Sequence, residues 1–181
     1  GAMVYVEVCP HHWALSEEKL CGPDAGFFKM NPPLRSREDA QQIEHIVCEE
    51  GVVDVVASDH APHTTEEKQV EDYSEVPSGV PGVEMRMALL YHLVAQGKMS
   101  IDRFIAFTSA NAARIFGFRG KGRIEVGADA DLVLINPHGC VTIDDYQQHS
   151  KCGWTPYHGM EVEGAILHVV AGGVLHTING R

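Results

Sequence analysis

A short apolar, β-branched run, Val52–Val53–Asp54–Val55–Val56–Ala57, passes without a break into Ser58–Asp59–His60–Ala61–Pro62–His63. The first part has the texture of a buried strand of a parallel sheet, opening just after Gly51. The second part cannot be the first turn of a helix, because Pro62 pushes Ala61 toward extended backbone. A strand that ends in an acid and two imidazoles constrains the fold strongly. In α/β barrels the loops after the strands' C-terminal ends hold the active site, so Asp59 is a candidate metal ligand or proton carrier. An ordinary solvated loop has the same composition, and the spacing alone does not separate the two.

The chain has 181 residues, 44% of them hydrophobic, which is enough for one core or one core with a small second unit. A complete (β/α)8 barrel needs about 250 residues. The net charge of -11 repels phosphate, so nucleic acid and an acidic membrane surface are poor partners, and a small molecule or another protein is expected. The 5 cysteines, Cys9, Cys21, Cys48, Cys140 and Cys152, are scattered with no C-x-x-C pair, which fits a reducing cytoplasm better than a disulfide framework. No apolar stretch is long enough for a membrane helix, and no signal peptide is evident. Gly1–Ala2–Met3 reads as a cleavage scar.

Along the chain, Val4–Cys9 reads as a strand stopped by Pro10, with Pro10–His11–His12–Trp13 as a loop. The adjacent histidines serve a site or the packing equally well. Ser16–Leu20 makes a helical turn or two. Lys29–Met30–Asn31–Pro32–Pro33–Leu34–Arg35 is a rigid extended loop that either presents Asn31 to a ligand or simply connects elements. Ser36 with Asp39 predicts a capped helix that buries Ala40, Ile43, Ile46 and Val47 and closes near Gly51.

Thr64–Glu75 has the acidic composition of a solvated flap. Pro77–Ser78–Gly79–Val80–Pro81–Gly82 forces a turn with bare backbone at its glycines. A helix through Met85, Ala88, Leu89, Leu93 and Val94 ends at Gly97, Ser100 caps a second, and Ser109 caps a third over 110–116. From Gly120 the texture changes to short strands, at 122–126, 130–135 and 164–177, with Gly172–Gly173 as a hairpin turn. Ser150–Tyr157 is a loop whose aromatic side chains dock on the first unit.

Together, Val6–Glu7–Val8–Cys9–Pro10–His11–His12, Asn31–Pro32–Pro33–Leu34–Arg35, Ser58–Asp59–His60–Ala61–Pro62–His63–Thr64, Pro77 to Glu84, Asn111–Ala112–Ala113–Arg114–Ile115–Phe116–Gly117, Gly127–Ala128–Asp129–Ala130–Asp131–Leu132 and Ser150–Lys151 with Thr155–Pro156 resemble the C-terminal part of the dihydroorotases. These are cyclic amidohydrolases of the amidohydrolase superfamily. The resemblance implies an α/β fold, with residues 4–118 as the last strands and helices of a (β/α)8 barrel. Residues 119–181 then form a β-sandwich portion with its docking loop. It implies zinc-dependent, reversible hydrolysis of L-dihydroorotate to N-carbamoyl-L-aspartate in pyrimidine biosynthesis. By resemblance Asp59 binds the metal and carries the proton, Asn31 and His63 hold substrate, and the backbone at Pro81 and Gly82 meets the pyrimidine ring. His11 and His12 are not assigned to metal.

The half of the family pattern that supplies the histidine and bridging metal ligands has no counterpart here, so the chain alone is expected to be inactive and to bind zinc weakly or not at all. Allantoinase and dihydropyrimidinase are the neighbouring enzymatic readings. A noncatalytic module covered by a second copy of itself, or by aspartate carbamoyltransferase, is the reading from another class.

Overall fold

The computed structural model describes residues 3–177. Strand β1 (Glu7–Val8) lies parallel to β2 (Val55–Val56), with Glu7 opposite Val55 and Val8 opposite Val56. Parallel strands need a crossover, and helix α2 (Arg37–Glu49) provides it. Pairing extends slightly beyond the regular strands: the Asp54 carboxylate accepts from the Val6 N–H at 2.8 Å, and the Ala57 N–H donates to the Val8 carbonyl at 3.0 Å. Both strands are therefore shorter than their apolar runs suggest.

Helix α2 starts where the sequence predicts. The Ser36 hydroxyl accepts from the Asp39 N–H at 3.1 Å and donates to the Asp39 carboxylate at 2.9 Å. At its far end Arg103 donates to the carbonyls of Val47 (2.6 Å) and Ile46 (3.1 Å), the second of which also accepts from the Glu50 N–H at 3.2 Å, so the side chain caps the last turn.

Pro10 does not open a loop. It begins a short helix, α1 (His11–Ala14), because proline at a helix start loses no hydrogen bond and already has helical φ. After α3 (Thr65–Lys68) and α4 (Arg86–Ala95), helix α5 (Ile101–Ile105) begins at the Ser100 cap. It runs through a π turn (Ala106–Ala110) directly into α6 (Asn111–Phe116). Ser109 therefore caps nothing, contrary to expectation. The Asn111 side chain instead donates to the Asp54 carbonyl at 2.7 Å, which ties α6 to the entry of β2.

The final part is a three-stranded antiparallel sheet in the order β3 (Leu132–Thr142), β4 (Glu161–Ala171), β5 (Val174–Thr177). Gly172 and Gly173 make its hairpin turn with φ of 57° and 81°, as a primed turn requires. Strand β3 continues past Pro137 because the register with β4 breaks between Asn136 and Cys140, and a missing N–H is tolerated there. Gly122–Val126 forms no strand. Ile124 and Val126 are fully exposed, so their alternation has no surface to pack on.

Two apolar clusters fill the interior. One holds Trp13, Val47, Val56, Leu90, Leu93, Phe104 and Phe107 between α2, α4, α5 and the parallel pair. The other joins Leu15, Met30, Leu34, Val80 and Leu89 to Ile143, Trp154, Tyr157 and Val162 from the last third of the chain. Strand β4 reaches α4 closely because Gly164 has no side chain: a Cβ there would lie 2.2 Å from the Tyr91 ring.

Candidate functional site

Strand β2 ends in the Asp59 turn. Asp59 is exposed and takes a left-handed conformation, φ 47°, which an aspartate adopts more readily than most side chains. The turn is held against Pro77–Gly82. His60 and Val80 form a parallel bridge, and the Ala61 N–H donates to the Val80 carbonyl at 3.0 Å. The approach depends on Gly82, where a Cβ would stand 2.5 Å from the Ser58 carbonyl oxygen.

His60 Nδ1 accepts from the N–H groups of Gly82 (3.1 Å) and Val83 (3.3 Å), so this nitrogen is unprotonated and the ring's hydrogen sits on Nε2. The expectation at Gly82 is thereby narrowed. Its N–H is already committed, and the group this segment offers a ligand is the Pro81 carbonyl, which carries no hydrogen bond among the described residues. A water-sized hollow of about 10 Å³ beside it is lined by His60, Pro81, Gly82, Glu84, Met85, Gln148 and Ser150.

Ser78 brings Asn31 and His63 together. Its hydroxyl accepts from Asn31 Nδ2 at 3.4 Å, and its carbonyl lies 3.3 Å from His63 Nε2. His63 Nδ1 lies 3.3 Å from the Glu67 carboxylate, so both ring nitrogens face acceptors and a neutral ring can donate to only one of them. The His63 carbonyl in turn accepts from Trp154 Nε1 at 2.8 Å. Among the described residues no hydrogen bond joins Asp59 to Asn31 or His63.

Thr64–Glu75 is not simply a solvated flap. Thr64 and Glu67 form a capping box that starts α3, and Lys68 at its end is 1% exposed. Lys68 Nζ donates to the carbonyls of Lys29 (3.1 Å), Pro77 (2.9 Å) and Gly79 (3.0 Å). Burial, helped by the nearby Lys29 charge, draws its pKa down to about 8. Composition hides this lysine among acids. The Thr-x-x-Glu pattern was the available signal for the helix.

Cys9 is a buried thiol, pushed up to about 12 by desolvation and by the charges of Asp59 and Glu7, so it offers no thiolate near neutral pH. His11 is fully buried, and neither ring nitrogen has a partner among the described residues. Desolvation, with His12 adding to it, lowers its pKa to about 3. The unfolded chain therefore binds a proton here that the folded chain refuses. Stability is full above about pH 6.5 and falls by about 1.4 kcal/mol per pH unit as pH drops toward 3. Denaturant titrations at pH 7, 6 and 5 check this: His11→Gln should flatten the acid-side slope, and an unchanged slope would show that His11 is not its source.

The amidohydrolase family model matches residues 2–175, and the chain belongs to that family; its α/β arrangement is that of the amidohydrolase fold. Among curated relatives it is 45% identical over 154 residues to the dihydroorotase of Halobacterium salinarum, a match covering 84% of this chain and 36% of the relative. It is 38% identical over 183 residues to the dihydroorotase of Bacillus caldolyticus, covering 100% of this chain and 42% of the relative. Among solved structures, the dihydropyrimidinase from Brevibacillus agri NCHU1002 superposes with a TM-score of 0.89 at 34% identity, over 95% of this chain and 39% of that one. The D-hydantoinase (dihydropyrimidinase) from Thermus sp. gives 0.89 and 34%, over 98% and 40%. The chain thus spans well under half the length of these relatives.

Such a family implies a metal. A zinc site takes about three protein ligands and an open position. Among the described residues no group of three or more His, Cys, Asp and Glu side chains comes together to hold an ion. Asp59 is an exposed acid just beyond the end of β2, Cys9 stays protonated, and His11 points into packing. These residues do not make up a zinc site by themselves.

Proposed function

We propose that this chain serves in a dihydroorotase, an enzyme of pyrimidine biosynthesis that interconverts L-dihydroorotate and N-carbamoyl-L-aspartate. Residues 4–118 would contribute the last strands and helices of its barrel, and 119–181 its β-sandwich portion and docking loop. The observation that carries the reading is the Asp59 turn held against Pro77–Gly82, with Asn31 and His63 gathered on Ser78. Identity of 45% to a dihydroorotase supports the substrate.

In the hydrolytic direction water adds to the ring amide carbonyl, the C–N bond breaks and the ring nitrogen gains a proton. Asp59 takes the proton from the attacking water and returns it to the departing nitrogen. Its exposure at the strand end suits both transfers. His63 and Asn31 carry the hydrogen-bonding groups for the substrate, and the Pro81 carbonyl accepts from a ring N–H. Asp59 is the single carboxylate the chain contributes toward zinc, the other ligands lying outside it, so the isolated chain is inactive. Among the described residues the paired strands β1 and β2 have open edges that a covering partner would close, a second copy or aspartate carbamoyltransferase.

The dihydropyrimidinase reading is kept by the solved structures, which superpose at 34% identity. A chimaera settles the choice: this chain joined to the remaining residues of the Bacillus caldolyticus dihydroorotase, supplied with zinc and assayed on dihydroorotate, dihydrouracil and allantoin. Preferential turnover of dihydroorotate is expected. A preference for dihydrouracil transfers the function to the dihydropyrimidinases.

A further inference from the structure

Lys68 is a cation sealed from water, and no carboxylate pairs with it among the described residues. Burying such a charge is costly unless every donor is met, and an ammonium has three. Here the acceptors are three backbone carbonyls drawn from two separate segments. The Lys29 carbonyl opens the loop that carries Asn31. The Pro77 and Gly79 carbonyls flank Ser78, the residue that contacts both Asn31 and His63.

The anchoring is reinforced around this tripod. The Lys29 carbonyl also accepts from the Gly79 N–H at 2.9 Å. The capping box that begins α3 directly follows His63, and a Cβ at Gly26 would lie 2.3 Å from the Lys68 carbonyl oxygen, so the backbone there is in close contact. An apolar side chain of the same length would fill the space without linking the segments. Lys29, whose charge bears on Lys68, turns its own ammonium to the carbonyls of Tyr73 (2.7 Å) and Ser74 (3.1 Å) and does not compete for these acceptors.

We propose that Lys68 is a positioning residue whose ammonium locks helix α3, the Asn31 loop and Pro77–Gly79 together, and so sets the mutual placement of Asn31 and His63 toward an anionic cyclic-amide substrate. The substrate half rests on the dihydroorotase reading above; the locking half stands on the geometry alone. Lys68 touches no reacting atom and acts through the loops it holds.

Amide hydrogen exchange on the 181-residue chain tests the lock. Lys68→Met keeps the side-chain volume and removes the donors. Its Gly79 amide is expected to exchange at least about tenfold faster, while the Val47 and Leu90 amides stay within about twofold. An unchanged Gly79 rate, or an equal rise at Leu90, overturns the proposal. Should Lys68→Met not fold, the unsubstituted chain still decides: with ¹⁵N-labelled lysine, an ammonium resonance at Lys68 protected from solvent exchange supports the lock, and its absence refutes it.

In the chimaeric enzyme, Lys68→Met should raise KM for dihydroorotate about tenfold and leave kcat within about twofold. An altered Gly79 rate with unaltered KM removes the positioning role and leaves the dihydroorotase reading intact. If the unsubstituted chimaera fails to turn over dihydroorotate, that reading falls with the substrate half, and the exchange result still judges the lock.

Discussion

In a complete enzyme built around this segment, Asp59→Asn lowers kcat for dihydroorotate by about a thousandfold and leaves the fold intact. The carboxamide has nearly the same shape, so packing gives no reason for loss of stability. Asp59 is exposed, and its φ of 47° is one that asparagine tolerates as well as aspartate. Chemistry is lost because an amide neither takes a proton from water near neutral pH nor offers an anion. Steady-state kinetics with a thermal melt alongside check the result. Activity within tenfold of the unsubstituted enzyme would mean that the proton is carried elsewhere, with His60 and His63 the next groups to test.

The second large effect is structural. Trp154→Ala should destabilise the chain by about 4 kcal/mol, the range for truncating a buried aromatic. Trp154 is 6% exposed, packs edge-on to Phe27 with centroids 5.0 Å apart, and closes the cluster that joins the last third of the chain to the first. Its loss also strips the His63 carbonyl of its indole donor. The midpoint of thermal unfolding is expected to fall by about 10 °C, at about 2–4 °C per kcal/mol for a domain of this size. Trp154→Phe retains most of the buried area and should cost far less. Equal losses in the two variants would contradict the packing account.

Elements whose signals are local could be read from the residues. Ser36 and Asp39 announce the start of α2, Gly172–Gly173 fixes the hairpin, and the break from Val56 to Ser58 places Asp59 at a strand end. Elements that depend on tertiary contact could not be read this way. Gly122–Val126 alternates like a strand, yet nothing packs on Ile124 or Val126, and periodicity without a partner makes no sheet. The π turn arises because α5 continues into α6, and Ser109 has no helix start to cap.

The site shows the same division. Asp59, Asn31, His63, Pro81 and Gly82 lie on the segments that the motifs name. The roles of Ser78 as the junction of Asn31 and His63, His60 as the acceptor that occupies the Gly82 N–H, and Lys68 as a buried tripod depend on distances between loops. Pro10 illustrates a signal with two meanings: it ends a strand and begins a helix, and only the exit direction of the chain decides between a loop and a turn of helix.

The central claim is that this chain brings one acid to a metal site whose other ligands lie outside it. The most direct test is to titrate the purified 181-residue chain with zinc and assay it for hydrolysis of L-dihydroorotate. The expected result is no tight zinc binding and no turnover above the protein-free control. Zinc-dependent turnover by the isolated chain, abolished by Asp59→Asn, would contradict the claim.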